Sequence, residues 1–202
     1  MTMRERVRGW MPVLVAGGVL ALGGVAAIPL GGWDTVELQS EIVPEWEAGE
    51  PYAGTRLITS IDDIYLTDLS PDGYSEAEPG EIFLVVVATM EAAMSEPQLP
   101  IAGTSFPPFE IPGVIEIDVS LSADAYTTVL ERDGTFGPEL NPGVSDTLLF
   151  AFTVRESQFA DGDDVRVGIV DADAEKADII DGTRWVNVEV AVEVPVTVRD
   201  ER

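Results

Sequence analysis

Two groups of aspartates near the C-terminal end of the chain have the clearest capacity for chemistry. One group precedes the alternating apolar segment Val165–Val170, and the other follows it. Carboxylate oxygens are the hard ligands that Ca²⁺ prefers, and the ion takes about six to eight oxygens. The sequence therefore offers five candidate metal ligands, which are Asp161, Asp163, Asp164, Asp171 and Asp173.

The spacing of these aspartates departs from the EF-hand calcium loop. Counting from Asp171, the sixth position is Lys176, where the loop needs glycine. The twelfth position is Gly182, where the loop needs glutamate. If Val165–Val170 forms one straight strand, the two groups of aspartates emerge at its opposite ends. Solvated turns, in which aspartate is common, are therefore the alternative interpretation.

A second candidate site lies in the long connection Glu91–Gly113, which contains five prolines. Connections of this length in a small domain are usually functional or mobile. Two phenylalanines flank a Pro-Pro pair, and such a stiff, extended segment suits recognition by a partner protein. The alternative is that the two rings cap an open end of the fold. The candidate partner-binding residues are Phe106, Pro107, Pro108 and Phe109.

The composition excludes several classes of site. The chain contains no cysteine and no histidine, so it has no disulfide, no thiolate nucleophile, no Cys/His zinc site and no imidazole base. Carboxylate pairs such as Asp62 with Asp63, or Glu116 with Asp118, could support acid–base chemistry. Such pairs are inevitable in so acidic a chain. We therefore expect no catalytic residue and, calcium aside, no cofactor.

The charge is strongly negative and unevenly distributed. The chain has 11 basic and 37 acidic residues, a formal net charge of −26. Residues 1–32 carry three arginines and one glutamate, whereas residues 33–202 carry 8 basic and 36 acidic residues. Such a chain is repelled by nucleic acid, whose phosphates require lysine and arginine. We therefore expect no nucleic-acid partner.

An uncharged run of 25 residues, Gly9 to Trp33, separates the basic N-terminus from the acidic remainder. As a helix it would reach about 37 Å, enough to cross a hydrocarbon core of about 30 Å. Trp10 and Trp33 stand at its two ends, where indole rings favour the headgroup region. Three arginines precede the run, so the positive-inside rule keeps the N-terminus in the cytoplasm and exports the rest.

The same run also allows a cleaved signal peptide, with Val25-Ala26-Ala27 as a small-residue cleavage site. The length of the apolar run favours an uncleaved anchor. The predicted organisation is a cytoplasmic N-terminus at 1–8, a transmembrane signal-anchor helix at 9–33, an acidic connector at 34–52 and a β-sandwich at 53–202. Under either interpretation the remainder of the chain is extracytoplasmic, and the protein crosses the membrane at most once.

The exported part alternates apolar and polar residues with a period of two, which is typical of antiparallel strands. Valine occupies every second position from Val186 to Val198, so the pattern predicts that all seven valines lie on one face of a strand. Turn sequences such as Pro79-Gly80 and Asn141-Pro142-Gly143 separate the strands. About seven strands without a helix between them predict an immunoglobulin-like antiparallel β-sandwich. The predicted strands are 56–66, 82–90 (central), 114–121, 126–132, 146–155, 164–171 and 186–198.

Five sequence blocks then carry a resemblance to a known family. They are GEIFLVVVATMEA, VIEIDVSL, YTTVLERDGTFGPEL, NPGVSDTLLFAFTV and DVRVGIVDAD, in that order. In this order the blocks resemble an uncharacterised immunoglobulin-like extracytoplasmic domain family of bacterial surface lipoproteins and single-span membrane proteins. That family is related in fold to a secreted mycobacterial immunoprotective antigen. The sequence departs from the family at Glu91-Ala92-Ala93, where members usually place asparagine. The resemblance implies no catalytic residues.

The anchor followed by GGWDTV and a sandwich also resembles actinobacterial proteins found near ABC-type exporter components. We therefore expect a non-enzymatic, membrane-anchored extracytoplasmic interaction module in the bacterial cell envelope, with residues 9–33 in the membrane. Its partner would be another envelope protein, such as a transporter subunit. The alternatives are a calcium- or small-ligand-binding cell-surface domain and a cleaved secreted protein.

Overall fold

The computed structural model describes residues 42–100, 106–117, 126–176 and 183–202. The predicted cytoplasmic residues 1–8, the predicted anchor 9–33 and the first part of the connector lie outside the described residues. Within the described ranges, no helix is long and apolar enough to cross a membrane.

The described residues form nine strands in two sheets. The strands are β1 (Tyr52–Ala53), β2 (Leu57–Thr67), β3 (Glu81–Ala92), β4 (Phe109–Glu110), β5 (Tyr126–Leu130), β6 (Asp146–Arg155), β7 (Asp164–Lys176), β8 (Thr183–Thr197) and β9 (Arg199–Asp200). In the larger sheet the order is β1-β2-β3-β6-β5, and β9 pairs with β2 as well. The smaller sheet has the order β4-β7-β8. Every pairing between these strands is antiparallel except that of β2 with β9.

The two sheets enclose one hydrophobic core. β3 lies at the centre of the larger sheet, as its apolar sequence predicted, and pairs along its length with β2 and β6. Alternate residues of these strands point inwards because side chains on a strand alternate between its faces. Residues of both sheets belong to the same buried cluster, among them Ile64, Val86, Phe150, Ile169 and Val194. The all-β, antiparallel part of the predicted fold class is confirmed.

The described part of the connector packs on this body. Trp46 lies against the core and makes an edge-to-face contact with Tyr52. The Trp46 amide donates to the Glu193 carbonyl (2.8 Å), and the Glu193 amide donates to the Pro44 carbonyl (2.9 Å). Arg166 adds ion pairs to Glu45 (3.0 Å) and Glu193 (2.8 Å). The described part of the predicted connector therefore groups with the sandwich in one compact unit, Ile42–Arg202.

A bulge in β8 divides its valines between two faces. The register moves from Ile169 opposite Val192 to Val170 opposite Val190, which leaves Ala191 without a partner. Val192 belongs to the main core, whereas Val190 packs in a second cluster with Val170. The prediction that all seven valines share one face is therefore wrong. A bulge inserts one residue and so reverses the direction of the side chains beyond it.

The predicted strand 114–121 is also corrected in its described part. β4 covers only Phe109–Glu110, and the chain then turns back at Pro112-Gly113. Ile111 and Ile115 exchange backbone hydrogen bonds across this turn, at 2.8 and 3.0 Å. The backbone of Gly113 has a φ of 74°, which glycine adopts without steric cost. The apolar residues of the segment therefore bury within a tight turn instead of along a strand.

Candidate functional site

The first group of candidate calcium ligands is used in local hydrogen bonds. The Asp161 carboxylate accepts a hydrogen bond from the backbone amide of Asp200 at 3.1 Å. Asp163 accepts from the Ala160 amide at 2.8 Å, which closes the turn before β7. Asp164 accepts from the Thr197 hydroxyl, 3.1 Å away on β8. These side chains fix the turn and the end of the β7–β8 pair.

The second group of candidate ligands, Asp171 and Asp173, accepts hydrogen bonds further along β7. The Asp171 carboxylate accepts hydrogen bonds from the Thr55 amide, at 2.9 and 3.1 Å, and from its neighbour Ala172 at 2.9 Å. Asp173 accepts from the Asn187 side chain at 2.8 Å. Asp171 follows Asp164 by seven positions along the strand, a span of about 23 Å.

The structure therefore does not bring the five predicted metal ligands together. Within the described ranges, no group of three or more acidic side chains is placed so that it could hold a metal ion. The calcium site stays a prediction from the sequence.

The four predicted partner-binding residues are buried. Phe109 is fully enclosed and makes edge-to-face contacts with Phe150 and Phe152, at centroid distances of 4.9 and 6.0 Å. Phe106, Pro107 and Pro108 are buried as well. The short pairing of β4 with Ile169 and Gly168 makes this segment part of the smaller sheet, and the Phe109 ring joins Ile169 in the core. The expectation that these residues are presented at the surface is corrected: both rings serve the protein's own hydrophobic clusters.

An open cleft of about 540 Å³ lies beside the connection between β2 and β3. We refer to it as the acidic cleft. Five carboxylates and four uncharged residues line it: Asp68, Leu69, Glu76, Ala77, Glu78, Pro79, Gly80, Glu81 and Glu156. Of these five carboxylates, Glu156 pairs with a cation, Arg202, at 2.8 Å. The cleft therefore combines a concentration of negative charge with a few apolar lining residues.

The connection that forms the acidic cleft is held by its own backbone. Residues Leu69 and Glu76 pair as an isolated bridge. The amide of Ser70 donates to the carbonyl of Ser75, and the amide of Ala77 donates to the carbonyl of Asp68, both at 2.8 Å. Two large hydrophobic side chains on this connection stand in solvent: Leu69 is 47% exposed and Tyr74 is 87% exposed.

Sequence reasoning missed this site. The motifs Pro71-Asp72-Gly73 and Pro79-Gly80 indicated turns, and the structure has turns there. What the sequence did not indicate is that Leu69 and Glu76 pair across the first of these turns. An aromatic residue directly after a Pro-Asp-Gly turn was the available signal.

A buried arginine, Arg56, forms the most unusual polar environment in the described residues. Only 2% of Arg56 is exposed, and its guanidinium lies 4.5 Å from the centre of the Phe106 ring. Among the described residues, no atom accepts a hydrogen bond from its three guanidinium nitrogens. Burial lowers the pKa of Arg56 to about 10, and Tyr126 and Asp171 partly oppose that effect.

Comparisons with known proteins give the following matches. No family model and no curated protein sequence matches the chain. An uncharacterised β-sandwich protein from Clostridium difficile 630 is 13% identical, with a TM-score of 0.44 over 80% of this chain and 99% of that chain. A proposed lipoprotein from Bacillus subtilis is 11% identical, with a TM-score of 0.35 over 76% of this chain. The match spans 39% of the Bacillus protein's length.

Proposed function

We propose that this chain is a non-enzymatic interaction domain held at the outer face of a cell membrane by residues 9–33. Its acidic cleft binds a basic surface of another envelope protein. The class of partner follows from the resemblance in the sequence, which implies a transporter subunit such as a component of an ABC-type exporter. The cleft is the single observation that carries the proposal.

The strand order supports an immunoglobulin-like identity for the body of the domain. The strands β2-β3-β6-β5 follow the order A-B-E-D of the constant-type immunoglobulin sandwich, and β4-β7-β8 follow C-F-G. The seven strands also occur along the chain in the order A to G. Many cell-surface domains use this architecture to display loops at the ends of a rigid sandwich.

The cleft has the features of an interaction surface. Interfaces combine apolar anchors with a polar rim, and tyrosine is enriched among the residues that carry binding energy. Leu69 and Tyr74 supply exposed apolar area on a connection that its own hydrogen bonds hold rigid. Five carboxylates line the adjacent cleft. A partner with lysine or arginine around an apolar pocket would complement both features.

The charge of the domain supports a basic partner. The 36 acidic residues of segment 33–202 exceed its 8 basic residues by 28. Within the described ranges, four arginines form side-chain ion pairs, and each of them is solvent-accessible. A field of one sign steers an oppositely charged partner towards the domain and weakens with salt. It also repels anionic headgroups and would hold the domain away from the membrane surface.

Charge reversal in the cleft tests the partner. The full chain would be purified from its own cells in mild detergent, as wild type and as the Glu76→Lys/Glu78→Lys variant. Glu96→Lys/Glu139→Lys makes the same charge change at exposed positions outside the cleft. We expect partner recovery to fall at least tenfold for the cleft variant alone, and to fall for wild type at about 0.5 M salt. Recovery of wild type without any partner, or equal loss in both variants, would overturn the proposal.

Replacing the exposed anchors tests the apolar part of the same surface. The double variant Leu69→Ser/Tyr74→Ser should lower partner recovery, because it removes the exposed apolar area beside the cleft. Phe136→Ser is the matched control, since Phe136 is 56% exposed elsewhere on the domain. Equal recovery of partner by the double variant and by wild type would contradict the role of these anchors.

The absence of cysteine allows a direct test of topology, since the chain contains none. Tyr74→Cys and Thr2→Cys would each carry a single thiol. A membrane-impermeant maleimide should label Cys at position 74 in intact cells and Cys at position 2 only after lysis. The labelled position-2 chain should also keep its full length, whereas cleavage would release a short labelled peptide. The reverse labelling pattern would contradict the proposed orientation.

A further inference from the structure

We propose that Arg56 and Tyr126 form a binding site for the carboxylate of a small organic acid with an apolar body. The site is distinct from the acidic cleft and does not depend on the protein-binding role proposed above.

The guanidinium of Arg56 is buried, and no described residue accepts a hydrogen bond from it. Its Nε and both terminal nitrogens lack a hydrogen-bond partner among the described residues, and no described carboxylate forms an ion pair with it. Buried charges in proteins are nearly always paired, because removing an ion from water is costly. An arginine that keeps all its donors unused in the interior is therefore a candidate ligand-binding group.

The carboxylate that acts on Arg56 is engaged in other hydrogen bonds. Asp171 acts electrostatically on Arg56, which places the two groups in the same region. Both oxygens of Asp171 instead accept the amide of Thr55, and the Tyr52 hydroxyl adds a longer contact at 3.4 Å. Asp171, which could otherwise be the counter-ion of Arg56, instead fixes the backbone before β2. This arrangement keeps the guanidinium available.

A second unused donor faces the same region. The hydroxyl of Tyr126 is buried and lacks a hydrogen-bond partner among the described residues, and the charge of Arg56 acts on it. Thr128 lies two residues further on β5 and therefore on the same strand face. Its hydroxyl is also buried and also lacks a hydrogen-bond partner among the described residues. Burial raises the pKa of Tyr126, so the phenol keeps its proton and remains a donor at neutral pH.

The chemistry of these groups selects a monocarboxylate. A guanidinium presents parallel N–H groups that match the two oxygens of a carboxylate, and a phenol can donate a further hydrogen bond. The side chains clustered near Arg56 are apolar: Phe106 lies against Trp185, Val170 and Val190. A multiply charged anion would be disfavoured by Asp171 and by the net charge of −26. A single carboxylate on an aliphatic or aromatic body matches the donors of Arg56 and Tyr126, fits the apolar surroundings and carries only one negative charge.

Calorimetric titration of the full chain in mild detergent tests the site. The probes are acetate, butyrate and benzoate, with chloride and sulfate as comparison anions. Wild type should bind butyrate or benzoate saturably and more tightly than acetate, and should bind sulfate least. Arg56→Gln should weaken binding at least tenfold. Tyr126→Phe, which keeps the ring, should weaken it about threefold, as expected for one hydrogen bond.

Two further variants keep the test decisive. Arg56→Lys retains the charge but not the parallel donors, so it should bind at least fivefold more weakly than wild type even if Arg56→Gln fails to fold. Arg132→Gln removes an exposed arginine that pairs with Asp146 at 2.9 Å, and it should bind as wild type does. No saturable heat with any carboxylate, equal binding by Arg56→Lys and wild type, or tighter binding of chloride than of butyrate would overturn the proposal.

Discussion

Replacing Phe109 with alanine should destabilise the domain strongly, because the ring is a core residue and not a surface anchor. Phe109 has 0% of its surface exposed. Truncating a fully buried phenylalanine costs about 3–5 kcal/mol through lost transfer free energy and the cavity that remains. A loss above the lower limit of that range applies here, because the ring also loses two edge-to-face contacts, with Phe150 at 4.9 Å and Phe152 at 6.0 Å.

The expected loss is therefore about 4 kcal/mol. Domains of this size are stable by about 5–15 kcal/mol, so the variant should fold but unfold much more readily. For a domain of 150–250 residues each kcal/mol lowers the unfolding midpoint by about 2–4 °C, which predicts a fall of about 8–16 °C.

Urea unfolding of the full chain in detergent, followed by tryptophan fluorescence, measures this difference. Phe136→Ala is the matched control: it removes the same ring from a position that is 56% exposed, and it should cost less than about 1 kcal/mol. The reasoning would be refuted if Phe109→Ala unfolded within about 1 kcal/mol of wild type. Loss of partner recovery by such a stable variant would then restore the surface role that the sequence suggested.

Three further predictions concern stability. Gly168→Ala should cost about 1–3 kcal/mol in urea unfolding, because its Cβ would lie 2.7 Å from a methyl group of Val190; a neutral result would contradict the close packing of β7 on β8. Arg56→Met should raise the free energy of unfolding at pH 7 by about 2 kcal/mol, since it removes a buried, unpaired charge; a decrease would show that the cation–π contact with Phe106 dominates. Hydrogen bonds donated by Arg202 lower the pKa of Asp200 from 3.8 to about 2. The contribution of Asp200 to stability is therefore complete above about pH 4 and is lost as the pH falls towards 2. Asp200→Asn should reduce the loss of stability over that pH range. The same loss of stability in the variant and in wild type would count against the Asp200–Arg202 ion pair.

The strands of the larger sheet were predictable because local sequence and tertiary structure agree there. The predicted strand 146–155 coincides with β6. The apolar run 82–90 lies within β3, at the centre of the sheet. Alternating apolar residues between turn sequences leave few other ways to bury one face.

The smaller sheet was less predictable because its geometry depends on pairing. The valines of β8 alternate without interruption in the sequence, so nothing marks Ala191 as the bulge. β7 extends to Lys176, beyond the predicted end at residue 171, because β8 pairs with its polar residues. β4 is two residues long, which is too short for an alternation of apolar and polar residues to be recognised in the sequence.

The candidate sites were harder to predict than the strands. Composition indicated a stiff aromatic segment at residues 106–109, but only the register of β4 against β7 decides that it lies inside. Nothing in the sequence distinguishes Arg56 from the exposed arginines. Its burial follows from the packing of Phe106 over the start of β2.

The contact between the connector and β8 has a mechanical consequence for a tethered protein. Tension applied to the chain at residue 42 reaches the domain through the two backbone hydrogen bonds that Glu193 shares with Pro44 and Trp46. A pull along β8 would load both bonds in shear at once, while Arg166 bridges Glu45 and Glu193 across the same junction. In a chain anchored as we propose, these contacts would set the force at which the connector separates from β8, before any strand of the sandwich is stretched.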